Sequence, residues 1–244
     1  MKKFVLASVV LAALIATPAM AAETAIQAPI NQPAPVLPYN WTGLYLGINV
    51  GGGWSRHPFT FDNPAATNDT LEGGGAIAGG YIGYNYQISP WLLVGVEGAG
   101  AWANIKQVGM DCTVDVTAVC TSNIKSLASV RGRAGIVLER ALVYGAAGWG
   151  FANASFERVF QPGGFPPTSG VSTTLSGISA AAGVEAAITD TLIGRIQYDY
   201  YDFGDKTYAP GVLSDVANVT VRTRVHALTV GFAAKFGGPA GASY

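Results

Sequence analysis

Charge is scarce in this chain. Only 12% of its 244 residues are Asp, Glu, Lys or Arg, about half the share of an ordinary water-soluble domain, and mean hydropathy is +0.31. Such a chain is short of charge to cover a water-facing surface. An excess of one sign is missing too. The net charge is -1, which leaves no basic stripe for neutralising phosphates and argues against nucleic acid as a partner. Histidine and cysteine number two each. His57 and His226 stand alone, without the spacing of a metal site or a triad, so no metal, cofactor or catalytic group is expected. Beyond the N-terminus no apolar run approaches about 18 residues, so no transmembrane helix is expected.

What is present begins with an export signal. Lys2 and Lys3 precede an apolar stretch from Phe4 to Ala16, and Ala19 and Ala21 supply a small-x-small cleavage pattern. Residues 1–22 therefore read as a signal peptide. Residues 23–40 are rich in proline and alanine. Proline cannot donate to a ladder, so they read as an extended periplasmic linker, either slack or a binding strap.

From Trp41 onwards the hydrophobic period is two. "LYLGINVGGGW" sets Leu44, Leu46, Ile48, Val50, Gly52 and Trp54 against Tyr45, Gly47, Asn49, Gly51 and Gly53. The same alternation returns in 76–87, 92–103, 127–138, 141–152, 175–188, 192–203 and 223–236, which predicts eight strands. "ISP", "ER" and "TD" make tight turns. The other connections are long and polar, beginning near Ser55, Asn104, Asn153 and Gly204. Short turns alternating with long loops predict an all-β, antiparallel up-and-down transmembrane barrel over 41–236. Its turns would be periplasmic and its four long loops extracellular. Residues 237–244 follow as a C-terminal extension.

The cost of charge in lipid decides which face points out. If the apolar sets faced inward, Glu97, Arg131, Arg133, Glu185, Arg195 and Asp199 would face lipid. An arginine at the midplane of that face costs about 2–4 kcal/mol, and three of them would consume a typical domain's stability. The charges therefore line the lumen. Glu97 is expected beside Arg131 and Arg133, and Glu185 beside Arg195, with Asp199 further up. Three acids balance three bases, as a buried network requires. They form either a charge-paired plug or an ion path. The lipid face carries an aromatic girdle: Tyr84, Tyr86, Trp91 and Phe236 towards the short turns, and Trp54, Trp102, Trp149, Tyr198, Tyr200 and Phe203 towards the long loops. Arg222, Arg224 and His226 also fall on the outward parity. They stand at the long-loop end, where they are either solvated or within reach of lipid phosphates. Cys112 and Cys120 share the second long loop, and in an oxidising compartment a loop-stapling disulfide is expected.

The stretches "WTGLYLGINVGGGW", "GGGAIAGGYIGYNYQ", "VGVEGAGAW", "VRGRAGIVLERALVYGAAGWGF", "GVEAAITDTLIGRIQYDYYDFG" and "VGFAAKF" together resemble the RopB-like small outer-membrane proteins of alphaproteobacteria, the outer-membrane immunogenic proteins. The resemblance spans about Trp41 to Phe236. It implies an eight-stranded OmpA-like barrel of the porin-like superfamily, integral to the Gram-negative outer membrane. It also implies abundance at the cell surface and a role in envelope integrity or host contact. Such chains end on the aromatic of the last strand, whereas "GGPAGASY" follows Phe236 here. Tyr244 is thus a second candidate for the C-terminal assembly signal. The expected partners are outer-membrane lipid and lipopolysaccharide, the barrel-assembly machinery during insertion, and surface partners met through the loops. The expected function is that of a non-enzymatic structural barrel displaying surface loops, with a small-solute or ion-conducting porin as the alternative.

Overall fold

Strands with one oily face can hide their ladder groups in lipid only by closing on themselves, because an open edge would leave N–H and C=O groups without partners. The structure, a computed structural model, describes residues 39–62, 69–111, 118–160, 169–209 and 218–237. They form β1 (Gly43–Phe61), β2 (Asp69–Ser89), β3 (Leu92–Asp111), β4 (Ala118–Leu138), β5 (Ala141–Phe160), β6 (Ser169–Ala187), β7 (Leu192–Tyr208) and β8 (Val219–Phe236). Each strand pairs antiparallel with the next, and β8 returns to β1 from Leu44↔Phe236 to Phe61↔Val219, giving a closed barrel.

The turns at one end are short. Pro90 and Trp91 link β2 to β3, with the Leu92 amide held by Ser89 Oγ at 3.1 Å. Glu139 and Arg140 link β4 to β5, and Glu139 takes a left-handed backbone at φ 55°, as two-residue hairpins require. Between β6 and β7, Thr189 Oγ1 accepts a bond from the Leu192 amide at 2.9 Å.

At the opposite end the strands run further than their apolar alternation suggests. Segments expected to become loops at Ser55, Asn104, Asn153 and Gly204 continue as strand to Phe61, Asp111, Phe160 and Tyr208. The reason is an inversion of polarity. Above Trp54 the outward positions turn polar, as at Arg56, Asn104 and Lys106, while the inward ones stay buried, as at Ser55, His57, Ile105 and Ile124. Hydrophobic residues that mark the outside of the lower barrel thus mark the inside of the upper barrel. A search for one continuous oily face stops where the membrane stops, although the ladder does not.

The lower wall is inside out relative to a soluble protein. Leu46, Ile48, Val50, Val96, Val130, Ile196, Leu228 and Val230 are all exposed on the outer surface. At the short-turn end Tyr39 and Asn40 already belong to the barrel. Tyr39 packs edge-on to Trp41 at 4.9 Å, and the Asn40 carbonyl accepts a bond from Lys235 Nζ. Residues 1–38 and 238–244, which hold the expected signal, most of the linker and the C-terminal extension, lie outside the described residues.

Candidate functional site

The lumen is filled in three layers. The lowest is aromatic and aliphatic: Tyr39, Trp41, Leu93, Val137, Leu142 and Ile193 pack together with the bases of Tyr45, Tyr81 and Tyr144. Trp41, only 1% exposed, is anchored by donating its amide to Gln87 Oε1 at 3.1 Å and its indole N–H to the Glu139 carbonyl at 3.4 Å.

The middle layer holds the six charges expected in the lumen, each between 2% and 4% exposed. Arg195 Nη2 lies 2.5 Å from Glu185 Oε1 and 2.7 Å from Glu97 Oε2. Arg133 spans the same acids, 3.0 Å from Glu185 and 3.4 Å from Glu97. Arg131 bonds Asp199 at 2.5 Å and reaches Glu97 at 3.8 Å. The ladder sets Glu97 opposite Arg131 and Glu185 opposite Arg195. Adjacency along the wall makes three of these pairs, Arg131–Glu97, Arg133–Glu97 and Arg195–Glu185, and Arg131–Asp199 spans β4 and β7, which are not neighbours. Arg133–Glu185 and Arg195–Glu97 also join strands that are not neighbours in the sheet, so they cross the lumen. In a site cut off from water, each guanidinium needs several partners to offset its lost hydration.

Sequence alternation does not single out the uncharged members of this layer. Tyr45 Oη donates to Glu97 Oε2 at 2.9 Å and accepts from Arg133 Nη1 at 2.8 Å. Tyr144 Oη donates to Gln197 Oε1 at 2.5 Å, and Gln197 Nε2 donates to Asp199 Oδ1 at 2.8 Å. The guanidinium of Arg195 lies 3.8 Å above the Tyr81 ring, and that of Arg133 3.9 Å above Tyr144, within cation–π range. Glycines make room for these rings. Tyr45 stands opposite Gly83 and Tyr81 opposite Gly47, and a Cβ on Gly47 would lie 2.4 Å from Tyr81 Cζ. The available signal was the inward parity of Tyr45, Tyr81 and Tyr144, each facing a glycine across the ladder.

The upper layer returns to apolar packing around Ile77, Ile105, Ile124, Phe156, Leu175 and Val225. His57 is fully buried here, its Nδ1 3.0 Å from Thr223 Oγ1 and its ring edge-on to Phe156 at 5.7 Å. Gln107 Nε2 donates to Ser55 Oγ at 2.6 Å. Between the charged and upper layers is a cavity of about 20 Å³, lined by Asn49, Tyr81, Arg131, Asp199 and Thr229 among others. That is room for roughly one water molecule.

On the outer wall, Trp54, Tyr84, Tyr86, Trp91, Trp102, Trp149, Tyr198 and Phe236 are exposed and Tyr200 is partly so. Phe203, expected in the same band, has the opposite parity to Tyr198 and Tyr200 and is buried in the upper layer, stacked on Tyr201 at 5.9 Å. Arg222 and Arg224 point outward as well, both towards Asp202 Oδ2 at 2.8 and 3.4 Å. Cys112 and the side chain of Cys120 lie outside the described residues.

A closed eight-stranded ladder with an oily exterior matches one domain family in particular. The outer membrane protein beta-barrel domain covers residues 7–236 of the chain. This protein belongs to that family. As an outer membrane β-barrel, it is integral to the outer membrane. It is 31% identical to the 31 kDa outer-membrane immunogenic protein of Brucella melitensis, over 97% of this chain and all of that one. It is 29% identical to the 25 kDa outer-membrane immunogenic protein of Brucella abortus, over 97% of this chain and 99% of the relative. A 22 kDa outer membrane protein of Rhizobium leguminosarum is 28% identical over 72% of each chain. In fold, the β-barrel is similar to the outer membrane protein OprG of Pseudomonas aeruginosa. The TM-score is 0.50 at 13% identity, covering 81% of this chain and 97% of that one.

Proposed function

We propose that the protein is a structural barrel that strengthens the outer membrane and holds surface segments out towards the cell's surroundings. The observation that supports this reading is the filled lumen. An aromatic layer, a charge-paired layer and an apolar layer follow one another along the axis. Passage of a hydrated ion would require breaking at least the Arg133–Glu185 or Arg195–Glu97 pair, and removing a buried partner costs about 3–5 kcal/mol. Small-solute conduction is the competing function, and the same layers oppose it. The connections at residues 62–68, 112–117, 161–168 and 209–218 are the surface segments of this proposal. Their contacts with host or environmental surfaces belong to this proposal, as does handling by the barrel-assembly machinery.

Single-channel recording in a planar bilayer tests the reading. The refolded chain is first shown to be a barrel by its altered gel mobility before heating. A verified barrel is expected to be electrically silent. Steady single-channel steps would overturn the structural reading and recast the charged layer as a gate.

A further inference from the structure

A charged row crosses the outer wall just above the oily belt. Arg56 on β1 stands directly opposite Arg224 on β8. Glu72 on β2 flanks Arg56 on its far side, and Asp202 on β7 flanks Arg224. Directly opposite positions bring Cβ atoms to within about 4.5–5.5 Å, and like charges placed there repel. The acids do not relieve that repulsion from between. Glu72 Oε1 holds Arg56 at 2.6 Å from the β2 side. Asp202 is shared by Arg222 and Arg224 from the β7 side. Asp205 faces Arg222 one row further from the membrane.

The row below is aromatic. Trp54 stands opposite His226, and their rings stack at 5.8 Å with only 6° between planes. Tyr198 Oη and His226 Nδ1 are 2.6 Å apart, and Tyr200 lies 5.1 Å from the same imidazole. Height follows from strand geometry. From Leu44 at the short-turn rim to Trp54 is ten residues. At about 3.3 Å per residue and a tilt of roughly 40°, that climbs about 25 Å, the height of the apolar band of such barrels. The Trp54–His226 shelf therefore marks the upper edge of hydrocarbon, and Arg56 and Arg224 stand at headgroup level, pointing at lipid.

We propose that Arg56 and Arg224, above the Trp54–His226 shelf, form a binding site for a phosphate monoester on the headgroup of an outer-leaflet lipid. Glu72 and Asp202 draw the two guanidiniums to opposite sides of the β1–β8 pair, so a phosphate between them is bound by both arginines turning from their acids, each offering a fork of N–H donors to its oxygens. An anion between them would answer both charges at once, at a place neither Glu72 nor Asp202 occupies. The site lies on the outer wall at the lipid boundary, so the source is a lipid headgroup and not a soluble anion. The inference rests on the barrel being seated in the outer membrane with its extended end outward, and is independent of whether the lumen conducts.

The experiment incorporates the full mature chain into phosphatidylcholine vesicles containing labelled lipid A, either bisphosphorylated or dephosphorylated. It measures the label that stays with the protein through detergent exchange. The wild-type barrel is expected to retain the phosphorylated form about tenfold better, the scale of one charge-assisted contact. An Arg56→Gln/Arg224→Gln double variant is expected to hold both forms equally. Lys106→Gln, which removes an exposed cation on β3 outside the row, is expected to behave as wild type. Equal retention of both lipids by wild type, or unchanged preference in the double variant, overturns the proposal. So does an equal loss in Lys106→Gln, which would mean diffuse attraction. Displacement by excess inorganic phosphate would identify a soluble-anion site and overturn the lipid assignment. If the double variant does not fold, the wild-type comparison of the two lipids and the single Arg56→Gln and Arg224→Gln variants still decide.

Discussion

Arg195 on β7 and Glu185 on β6 face each other across the ladder at 2.5 Å, and the same guanidinium nitrogen reaches 2.7 Å across the lumen to Glu97 on β3. One side chain thereby ties two walls of the barrel together. Closure in the hydrogen-bonding direction comes from the ladders. Resistance to flattening comes from such cross-lumen ties.

Arg195→Met should leave Glu97 and Glu185 short of their principal partner and lower stability by about 3–5 kcal/mol. An Arg195→Met/Glu185→Met variant keeps the remaining charges balanced, so its loss should be smaller than the sum of the two single losses. Urea unfolding in lipid vesicles, followed by tryptophan fluorescence, measures both. Strict additivity would show that the pair is not coupled.

Two glycine substitutions should behave oppositely. A Cβ at Gly47 meets the Tyr81 ring at 2.4 Å, whereas one at Gly98 finds nothing within 4 Å. Gly47→Ala is expected to cost about 1–3 kcal/mol through overpacking. Gly98→Ala should be neutral or stabilising by about 0.4–1 kcal/mol, because it restricts the unfolded chain. The same unfolding assay reads the sign of each change.

Ile48 faces lipid from β1, at 70% exposure. Ile48→Arg should cost about 2–4 kcal/mol near the bilayer midplane and reduce the yield of heat-modifiable barrel on refolding into vesicles. A nitroxide at Val130 should collide with lipid-soluble oxygen, and one at Arg131 should not, since the first faces out and the second is buried.

Trp41→Ala removes the largest side chain of the lowest layer. A stability loss of about 3–5 kcal/mol is expected from the cavity it leaves. The charged layer above is untouched, so planar-bilayer recordings should stay silent. Conductance appearing in this variant would move the seal from the charges to the aromatic plug.

Much of this architecture is legible in the chain itself. Period-two alternation separates an oily face from a small or polar one in every strand. The cost of arginine in hydrocarbon then decides which face points out, and the three tight turns assign one end. Val130 outside and Arg131 inside follow from parity alone, because a strand has only two faces. The upper strands were not legible in this way. There the alternation changes sign at Trp54 and Arg56, and residues such as His57 and Phe156 carry no outward apolar partner set to reveal them.

Tertiary structure decided which charges meet. Parity puts Glu97, Arg133, Glu185 and Arg195 in one lumen, and adjacency in sequence suggests wall pairs. Only the circumference and stagger of the closed barrel bring β3 to β7 and β4 to β6 across the axis. The Arg56–Arg224 opposition has the same origin. Those residues are far apart in the chain, and closure of β8 on β1 is what makes them neighbours. A strand's own sequence determines its two faces because side chains alternate by steric necessity. Which faces confront each other depends on how eight strands share one closed ladder, and that is a property of the whole.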